Sequence, residues 1–209
     1  MVKLYIVRHG ESNANKKDVF VGHADVDLTE NGALQAEITA DFLKDKNIDA
    51  VYSSDLIRAY RTACATAKRL NLPVIKDKGL REIDGGLWEE VPYEQLKQRF
   101  PNGFNTFLND MDNAVIEGGE SVAGMTKRFA CTIKEIAEKN NGKTVAIFAH
   151  ASTIRCFYAY CTGALAQNVS WPNNASVTEV DYENGVFNVI KYGYDGFIGE
   201  LKTGLPEKI

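Results

Sequence analysis

Residues 2–12 read VKLYIVRHGES, a short run of β-branched and aromatic residues that ends in a cluster of polar and charged side chains. Runs of this length and composition are typical of buried strands. Three further strand-like runs follow at Ala50–Ser53, residues 73–75 and Thr144–Ala149, with helical patterns between them. Alternation of this kind predicts a mostly parallel sheet covered by helices on both faces, a three-layer α/β/α fold.

Four amphipathic patterns predict the helices. Thr29 is expected to cap the first helix, which runs to about Lys44. Ser54 or Asp55 is expected to cap the second helix, and Ser121 the third. Residues 152–162 form the fourth helix. The apolar side chains predicted to face inward are Leu34, Ile38 and Phe42 in the first helix, Leu56, Tyr60, Ala63, Ala67 and Leu70 in the second, and Val122, Met125, Phe129, Ile133 and Ile136 in the third.

Near the end of the chain, residues 177–182 and 186–192 are alternating runs that flank Glu183-Asn184-Gly185. Asn-Gly between such runs predicts a hairpin, and so an antiparallel addition at one edge of the sheet. The exposed edge of this hairpin could pair with a second copy, which leaves a homodimer open. We interpret residues 85–119 as a lid-like insertion over one end of the sheet, within a single domain that spans residues 1–209.

The composition excludes several classes of function. The chain has 209 residues, an apolar share of 44% and a net charge of −4, which is ordinary for a globular protein and argues against a nucleic-acid partner. Its four cysteines form no C-x-x-C pair, so we expect buried thiols and no metal site. Arg8 interrupts the first apolar run, so neither a secretory signal nor a membrane segment is expected, and a reducing cytoplasm fits best.

Ionisable residues follow each predicted strand of the parallel sheet. Arg8 and His9 follow the first strand, Arg58 the second, Glu82 the third and His150 the fourth. Ligands of open α/β sheets bind outside the carboxyl ends of the strands. We therefore expect these five groups to converge at one edge of the sheet.

Together, these residue types can carry out phosphoryl transfer. Arginine offers a fork of donors that matches phosphate oxygens. A neutral imidazole can attack phosphorus, a second imidazole can donate to a phosphoryl oxygen, and a carboxylic acid can protonate the leaving oxygen. The pattern indicates a site that works through a phosphohistidine intermediate, without a metal or another cofactor.

The tetrapeptide Arg8-His9-Gly10-Glu11 resembles the signature of the histidine phosphatase superfamily, in its phosphoglycerate-mutase-like branch. The resemblance extends over about residues 3–160, and the chain from Asn168 onward adds little to it. The further stretches that match are Asn15, the F-x-G…D…LT…G…QA run within residues 20–36, Ser53-Ser54-Asp55-Leu56-x-Arg58-Ala59, Leu80-x-Glu82-x-x-x-Gly86-x-Trp88-Glu89, and Ala149-His150 followed by Ile154-Arg155.

The resemblance implies a role for each matching residue. His9 would be the nucleophile, Arg8, Arg58 and His150 would hold the phosphoryl oxygens, Glu82 would be the proton donor, and Asn15 would add a phosphoryl contact. We expect the two arginines and a His150 imidazolium to lower the pKa of His9, which keeps it nucleophilic. The same cations favour ionised Glu82, so turnover should fall at alkaline pH. His23 is expected to have only a surface or loop role.

The same centre serves phosphatases and bisphosphate-dependent mutases in this family. Residues 83–120 hold two basic and eight acidic side chains, which should repel a substrate with a second anionic group. We therefore expect a histidine acid-type phosphatase, a phosphoric monoester hydrolase, acting on a small phosphorylated metabolite. A mutase is the main alternative, and a non-catalytic phosphate-binding module is another. The aromatic residues of the insertion could contact the leaving group or form the insertion's own core.

Overall fold

The computed structural model describes residues 1–205 of the chain. Its centre is a six-stranded sheet in the order β3-β2-β4-β1-β5-β6. The strands are β1 (Val2–Arg8), β2 (Ala50–Ser53), β3 (Val74–Lys76), β4 (Thr144–Ala149), β5 (Val177–Glu183) and β6 (Val186–Tyr194). Strands β1 to β4 run parallel, and β5 and β6 are antiparallel. The predicted mostly parallel sheet with an antiparallel edge is confirmed.

Helices cover both faces of the sheet, as predicted. The helices are α1 (Asn13–Lys16), α2 (Glu30–Leu43), α3 (Ile57–Leu70), α4 (Tyr93–Arg99), α5 (Pro101–Asn109), α6 (Val122–Lys139) and α7 (Ala151–Thr162). On one face, Leu43 of α2 and Ala63 of α3 pack against Val7 and Phe148 of the sheet. On the other face, α6 and α7 pack against the alternate residues of the same strands.

The predicted inner face is right for α6 and wrong for α2. All five apolar residues predicted to face inward from α6 are buried. In α2, Leu34 is 55% exposed, and the buried side is built from small residues such as Ala36 and Ala40. The prediction followed the largest apolar side chains, whereas α2 and α3 meet through small ones. Ser121 and Thr29 cap their helices as predicted.

Helix α3 differs from its predicted start and its predicted face. Its N-cap position is Leu56, and no side chain caps it. The Ser54 hydroxyl accepts from the Leu56 N–H at 3.3 Å, so it organises the turn before the helix instead. Of the predicted helical face, Ala63 and Ala67 are buried, whereas Tyr60 and Leu70 are only partly covered.

Residues 85–119 contain α4, α5 and short 3-10 turns. Trp88, Phe104 and Met111 form a buried cluster that includes Met125 of α6 and Cys156 of α7. The apolar core of this segment is therefore continuous with that of α6 and α7. The interpretation of the segment as a lid within one domain stays a prediction.

Of the four cysteines, only Cys156 is fully buried, and Cys131 is exposed. The prediction of buried thiols is therefore wrong for Cys131, because it lies on the side of α6 opposite the buried face. Within residues 1–205, no helix combines the length and apolar character needed to cross a bilayer. The same residues contain no group of three or more His, Cys, Asp or Glu arranged to hold a metal ion.

Candidate functional site

The sheet topology brings the predicted site residues together. Arg8 at the end of β1 pairs with Ala149 at the end of β4, so His9 and His150 leave adjacent strands side by side. Their ring centroids lie 5.2 Å apart. Arg58 reaches the same cleft from the first turn of α3, and Glu82 reaches it from the loop after a 3-10 turn at Lys78–Leu80. The expected convergence at the carboxyl ends of the strands is what the structure shows.

His9 is held in one tautomer. Its side chain is 5% exposed, and its Nδ1 lies 2.7 Å from the carbonyl oxygen of Gly10. A carbonyl oxygen can only accept, so Nδ1 carries the proton and Nε2 keeps its lone pair. Burial, followed by the charges of Arg58 and Arg8, lowers the pKa of His9 well below its usual range. The predicted direction is confirmed, but desolvation contributes more than the neighbouring cations.

His150 is fully buried, and neither ring nitrogen has a hydrogen-bond partner among the described residues. Burial, then the charges of Arg58, His9 and Arg8, lowers the pKa of His150 well below its usual range. The lowered pKa opposes the imidazolium that was expected here. A charged ring in this position would be desolvated beside two guanidinium groups, so the neutral form is favoured.

Backbone carbonyls anchor the two arginines. Arg58 donates from Nη2 to Gly22 at 2.8 Å and from Nη1 to Ala24 at 2.9 Å, and Arg8 donates from Nη1 to Pro172 at 2.6 Å. Burial lowers the pKa of each guanidinium to about 10. Within residues 1–205, the Nε–H of both side chains is buried without a partner. Unsatisfied buried donors are unfavourable, and an anion in the cleft would satisfy them.

Glu82 is fixed by hydrogen bonds to its carboxylate and to its backbone. Oε1 accepts from the N–H of Ile83 at 2.9 Å, and Oε2 accepts from the N–H of Ser152 at 3.0 Å. Its carbonyl oxygen accepts from His23 Nε2 and from Arg128 Nη2, both at 3.0 Å. His23, which was expected to have only a surface or loop role, therefore helps to hold the loop that carries Glu82.

Asn15 is oriented by three donors to its side-chain oxygen. Oδ1 accepts from the Ser12 N–H and hydroxyl, both at 3.0 Å, and from Asn174 Nδ2 at 3.1 Å. These bonds leave the NH₂ end of Asn15 as its donor in the cleft that the residue lines. Asn174 also donates to the carbonyl oxygen of His9 at 3.2 Å.

Sequence reasoning missed the contribution of the segment before β5. Trp171 lines the cleft, Pro172 accepts from Arg8, and Asn174 connects His9 to Asn15. The predicted antiparallel hairpin could have indicated that this segment contributes to the site. Because β5 runs antiparallel to β1, the residues that precede β5 lie at the carboxyl end of β1.

The cleft is narrow and is lined by polar and apolar side chains in similar measure. Tyr93, Phe107 and Trp171 line it, whereas Trp88 and Phe104 lie in the core of the insertion. The core role is therefore confirmed for Trp88 and Phe104, whereas contact of Tyr93 and Phe107 with a leaving group stays a prediction. Phe107 packs against Trp171 with ring centroids 6.2 Å apart.

None of the eight acidic residues counted in residues 83–120 lines this cleft, as far as the described residues show. Three of them have partners elsewhere: Glu120 pairs with Arg128, Asp112 accepts from the Ala166 N–H, and Glu89 accepts from backbone N–H groups. These side chains therefore do not contact the interior of the cleft, and their repulsion of a second anion stays a prediction. The charged side chains among the lining residues are Arg8, Arg58 and Glu82.

Comparisons with known proteins agree with this geometry. The profile of the histidine phosphatase superfamily (branch 1) matches residues 4–195. Phosphoserine phosphatase 1 of Hydrogenobacter thermophilus is 32% identical over 203 residues, which cover 96% of each chain. The structure of Bacillus stearothermophilus YhfR superposes with a TM-score of 0.91 at 26% identity, covering 95% of this chain and 100% of that one.

A second solved structure is a histidine-to-alanine mutant of phosphoserine phosphatase from Entamoeba histolytica, in complex with phosphoserine. It superposes with a TM-score of 0.85 at 26% identity, over 94% of this chain and 99% of that one. The resemblance carried by the sequence motifs is thus confirmed over nearly the whole chain. The protein belongs to branch 1 of the histidine phosphatase superfamily.

Proposed function

We propose that the protein is a metal-independent phosphomonoesterase that hydrolyses its substrate through a phosphohistidine on His9. The observation that carries this proposal is a set of buried, unpartnered polar groups around one nucleophilic nitrogen. Within the described residues, the Nε–H groups of Arg8 and Arg58 and both ring nitrogens of His150 have no partner. A phosphoryl group beside His9 Nε2 would give these donors three acceptor oxygens.

The reaction would proceed in two steps. His9 Nε2 attacks phosphorus, the bond to the leaving oxygen breaks, and the Glu82 carboxylic acid transfers its proton to that oxygen. Arg8, Arg58, Asn15 and a neutral His150 N–H would bind the phosphoryl oxygens throughout. Water then attacks the phosphorus of phosphohistidine, the bond from phosphorus to Nε2 of His9 breaks, and the Glu82 carboxylate takes a proton from the water. Inorganic phosphate leaves, and both His9 and Glu82 return to their starting states.

We infer that the alcohol part of the substrate carries little negative charge. The other lining residues include Val19, Val21, Tyr93, Phe107 and Trp171, none of which carries a positive charge that could form an ion pair with a carboxylate. The lining cations, Arg8 and Arg58, lie where the phosphoryl group would bind. The phosphoserine phosphatase among the relatives supports a phosphatase, whereas a relative from Yersinia pestis, 29% identical, is named a probable phosphoglycerate mutase. At this identity neither name transfers a substrate.

The test is release of p-nitrophenol from p-nitrophenyl phosphate in EDTA. We expect turnover by the unmodified chain and none by His9→Ala, with Glu94→Gln, an exposed substitution on α4, as the control that keeps turnover. Release that survives His9→Ala would overturn the proposal. No release together with tight binding of inorganic phosphate would indicate a binding module. Conversion of 3-phosphoglycerate that depends on 2,3-bisphosphoglycerate would indicate a mutase.

A further inference from the structure

The Glu89 carboxylate is bound by four backbone N–H groups. Oε1 accepts from His23 at 2.6 Å and from Gly85 at 3.0 Å. Oε2 accepts from Gly22 at 3.0 Å and from Ala24 at 3.2 Å. Successive N–H groups that converge in this way form an anion-binding concavity, here occupied by a side chain of the same molecule.

The loop that Glu89 binds is also the loop that binds Arg58. Gly22 and Ala24 each donate an N–H to Glu89 and offer a carbonyl oxygen to Arg58, at 2.8 and 2.9 Å. The two peptide segments therefore lie between a carboxylate on one side and a guanidinium on the other. A shift of this loop would move both carbonyls that orient the Arg58 side chain.

The Glu89 carboxylate packs closely against two glycines. A Cβ atom at Gly22 would lie 2.7 Å from Glu89 Oε1, and one at Gly85 would lie 2.8 Å from it. The preceding residue, Trp88, is 1% exposed in the apolar core of the insertion, which fixes the backbone from which Glu89 extends. Glu89 thus connects the core of the insertion to the Gly22–Ala24 loop.

The negative charge of Glu89 also acts on the Arg58 guanidinium. Burial lowers the pKa of Arg58, and the negative charges of Glu82, Glu89 and Asp25 oppose that shift. Glu89 is separated from the guanidinium by the loop backbone, so it supports the charge without competing for the donors that face the cleft. Glu82, by contrast, lines the cleft itself.

We propose that Glu89 is the positioning residue for Arg58, and that it sets phosphate affinity through the Gly22–Ala24 loop without touching the substrate. This proposal rests on the proposed function only in taking a phosphoryl group as the ligand of Arg58. It assigns a role in ligand binding to an acidic residue of the insertion that lies outside the cleft.

The experiment is a double-mutant cycle on the binding of inorganic phosphate, measured by titration calorimetry in EDTA at pH 7.5. We expect Glu89→Gln to weaken binding about tenfold, because a neutral amide keeps only one acceptor oxygen for four N–H groups. In an Arg58→Ala background, the same change should weaken binding less than twofold, since the residue through which it acts is gone. Glu90→Gln, an exposed neighbour with the same charge change, is the matched control and should bind like the unmodified chain.

Equal factors in both backgrounds would overturn the proposal, because a general structural role does not depend on Arg58. Unchanged binding by folded Glu89→Gln would overturn it as well. If circular dichroism shows that Glu89→Gln is unfolded, the cycle is run with Glu89→Asp, for which about threefold weakening is expected. Phosphate binding without p-nitrophenyl phosphate turnover would contradict the proposed function and leave this inference intact.

Discussion

The N–H of Ser152, in the first turn of α7, donates to Oε2 of Glu82 at 3.0 Å. A helix N-terminus favours negative charge, so this bond suits the carboxylate that remains after proton donation. The same bond orients the other carboxylate oxygen and keeps the group beside His9. Glu82 is thereby prepared for the second half of the proposed cycle, in which its carboxylate acts as a base.

Replacing Glu82 with Gln should slow turnover in proportion to the need for a proton on the leaving oxygen. For alkyl phosphates we expect a fall in kcat of about 10²–10⁴, the usual contribution of a general acid. For p-nitrophenyl phosphate the fall should be much smaller, because nitrophenolate leaves without protonation. Steady-state kinetics on both esters checks this. Equal losses of kcat on the two esters would contradict the role of Glu82 as proton donor. The control is Glu94→Gln, at an exposed position of α4.

Stability in phosphate-free buffer should fall as the pH drops below about 6.5. His9 and His150 have lowered pKa values in the folded protein, so in this range the unfolded chain binds protons that the folded chain does not. Each histidine then contributes a loss of up to about 1.4 kcal/mol per pH unit in the free energy of unfolding. Urea denaturation at pH 7.5, 6.0 and 5.0 measures the slope. A variant carrying His9→Gln and His150→Gln should have a shallower slope, and an unchanged one would refute the argument.

Gly22→Ala should destabilise the protein and weaken phosphate binding together. A methyl group at this position would overlap the carbonyl oxygen of Ile83 and lie 2.6 Å from the Gly85 nitrogen, both of them backbone atoms. Overpacking of this kind costs about 1–3 kcal/mol. Gly103→Ala is the control, since its methyl would lie 3.3 Å from the Trp88 ring, within a helix that favours alanine. Thermal unfolding and phosphate titration check both effects, and normal binding by Gly22→Ala would argue against the loop's role.

Trp171→Ala should change the preference among substrates more than it changes catalysis. Trp171 lines the cleft and stacks with Phe107, while the guanidinium of Arg155 lies 4.1 Å from its ring centroid. Losing one aromatic contact should lower kcat/KM for aryl phosphates about fivefold to tenfold. The value for glycerol phosphate should change less than twofold. Trp88→Phe, in the core of the insertion, should lower stability without altering the ratio of kcat/KM for aryl phosphates to that for glycerol phosphate. An equal change of this ratio in Trp88→Phe would contradict the role of Trp171 in substrate preference.

The sequence predicted the fold because strand composition, helix caps and the Asn-Gly turn are local signals. It also predicted that Arg8, His9, Arg58, Glu82 and His150 would converge, because they follow strands of a parallel sheet. It could not predict that His150 is neutral, since that depends on burial set by the whole fold. The roles of Asn174 and Glu89 depend on contacts between distant segments, for which a single sequence contains no direct signal.

The residues around His9 come from nearly the full length of the described chain. Arg8 is anchored by Pro172, and Asn174, which orients Asn15, accepts a hydrogen bond from the Thr203 hydroxyl at 3.2 Å. Gln35 similarly binds the carbonyl oxygen of Leu201. During synthesis, no complete site can therefore form until the residues up to Thr203 have left the ribosome. Activity consequently reports completed folding, and a chain shortened before residue 203 would lack part of the support for its own nucleophile.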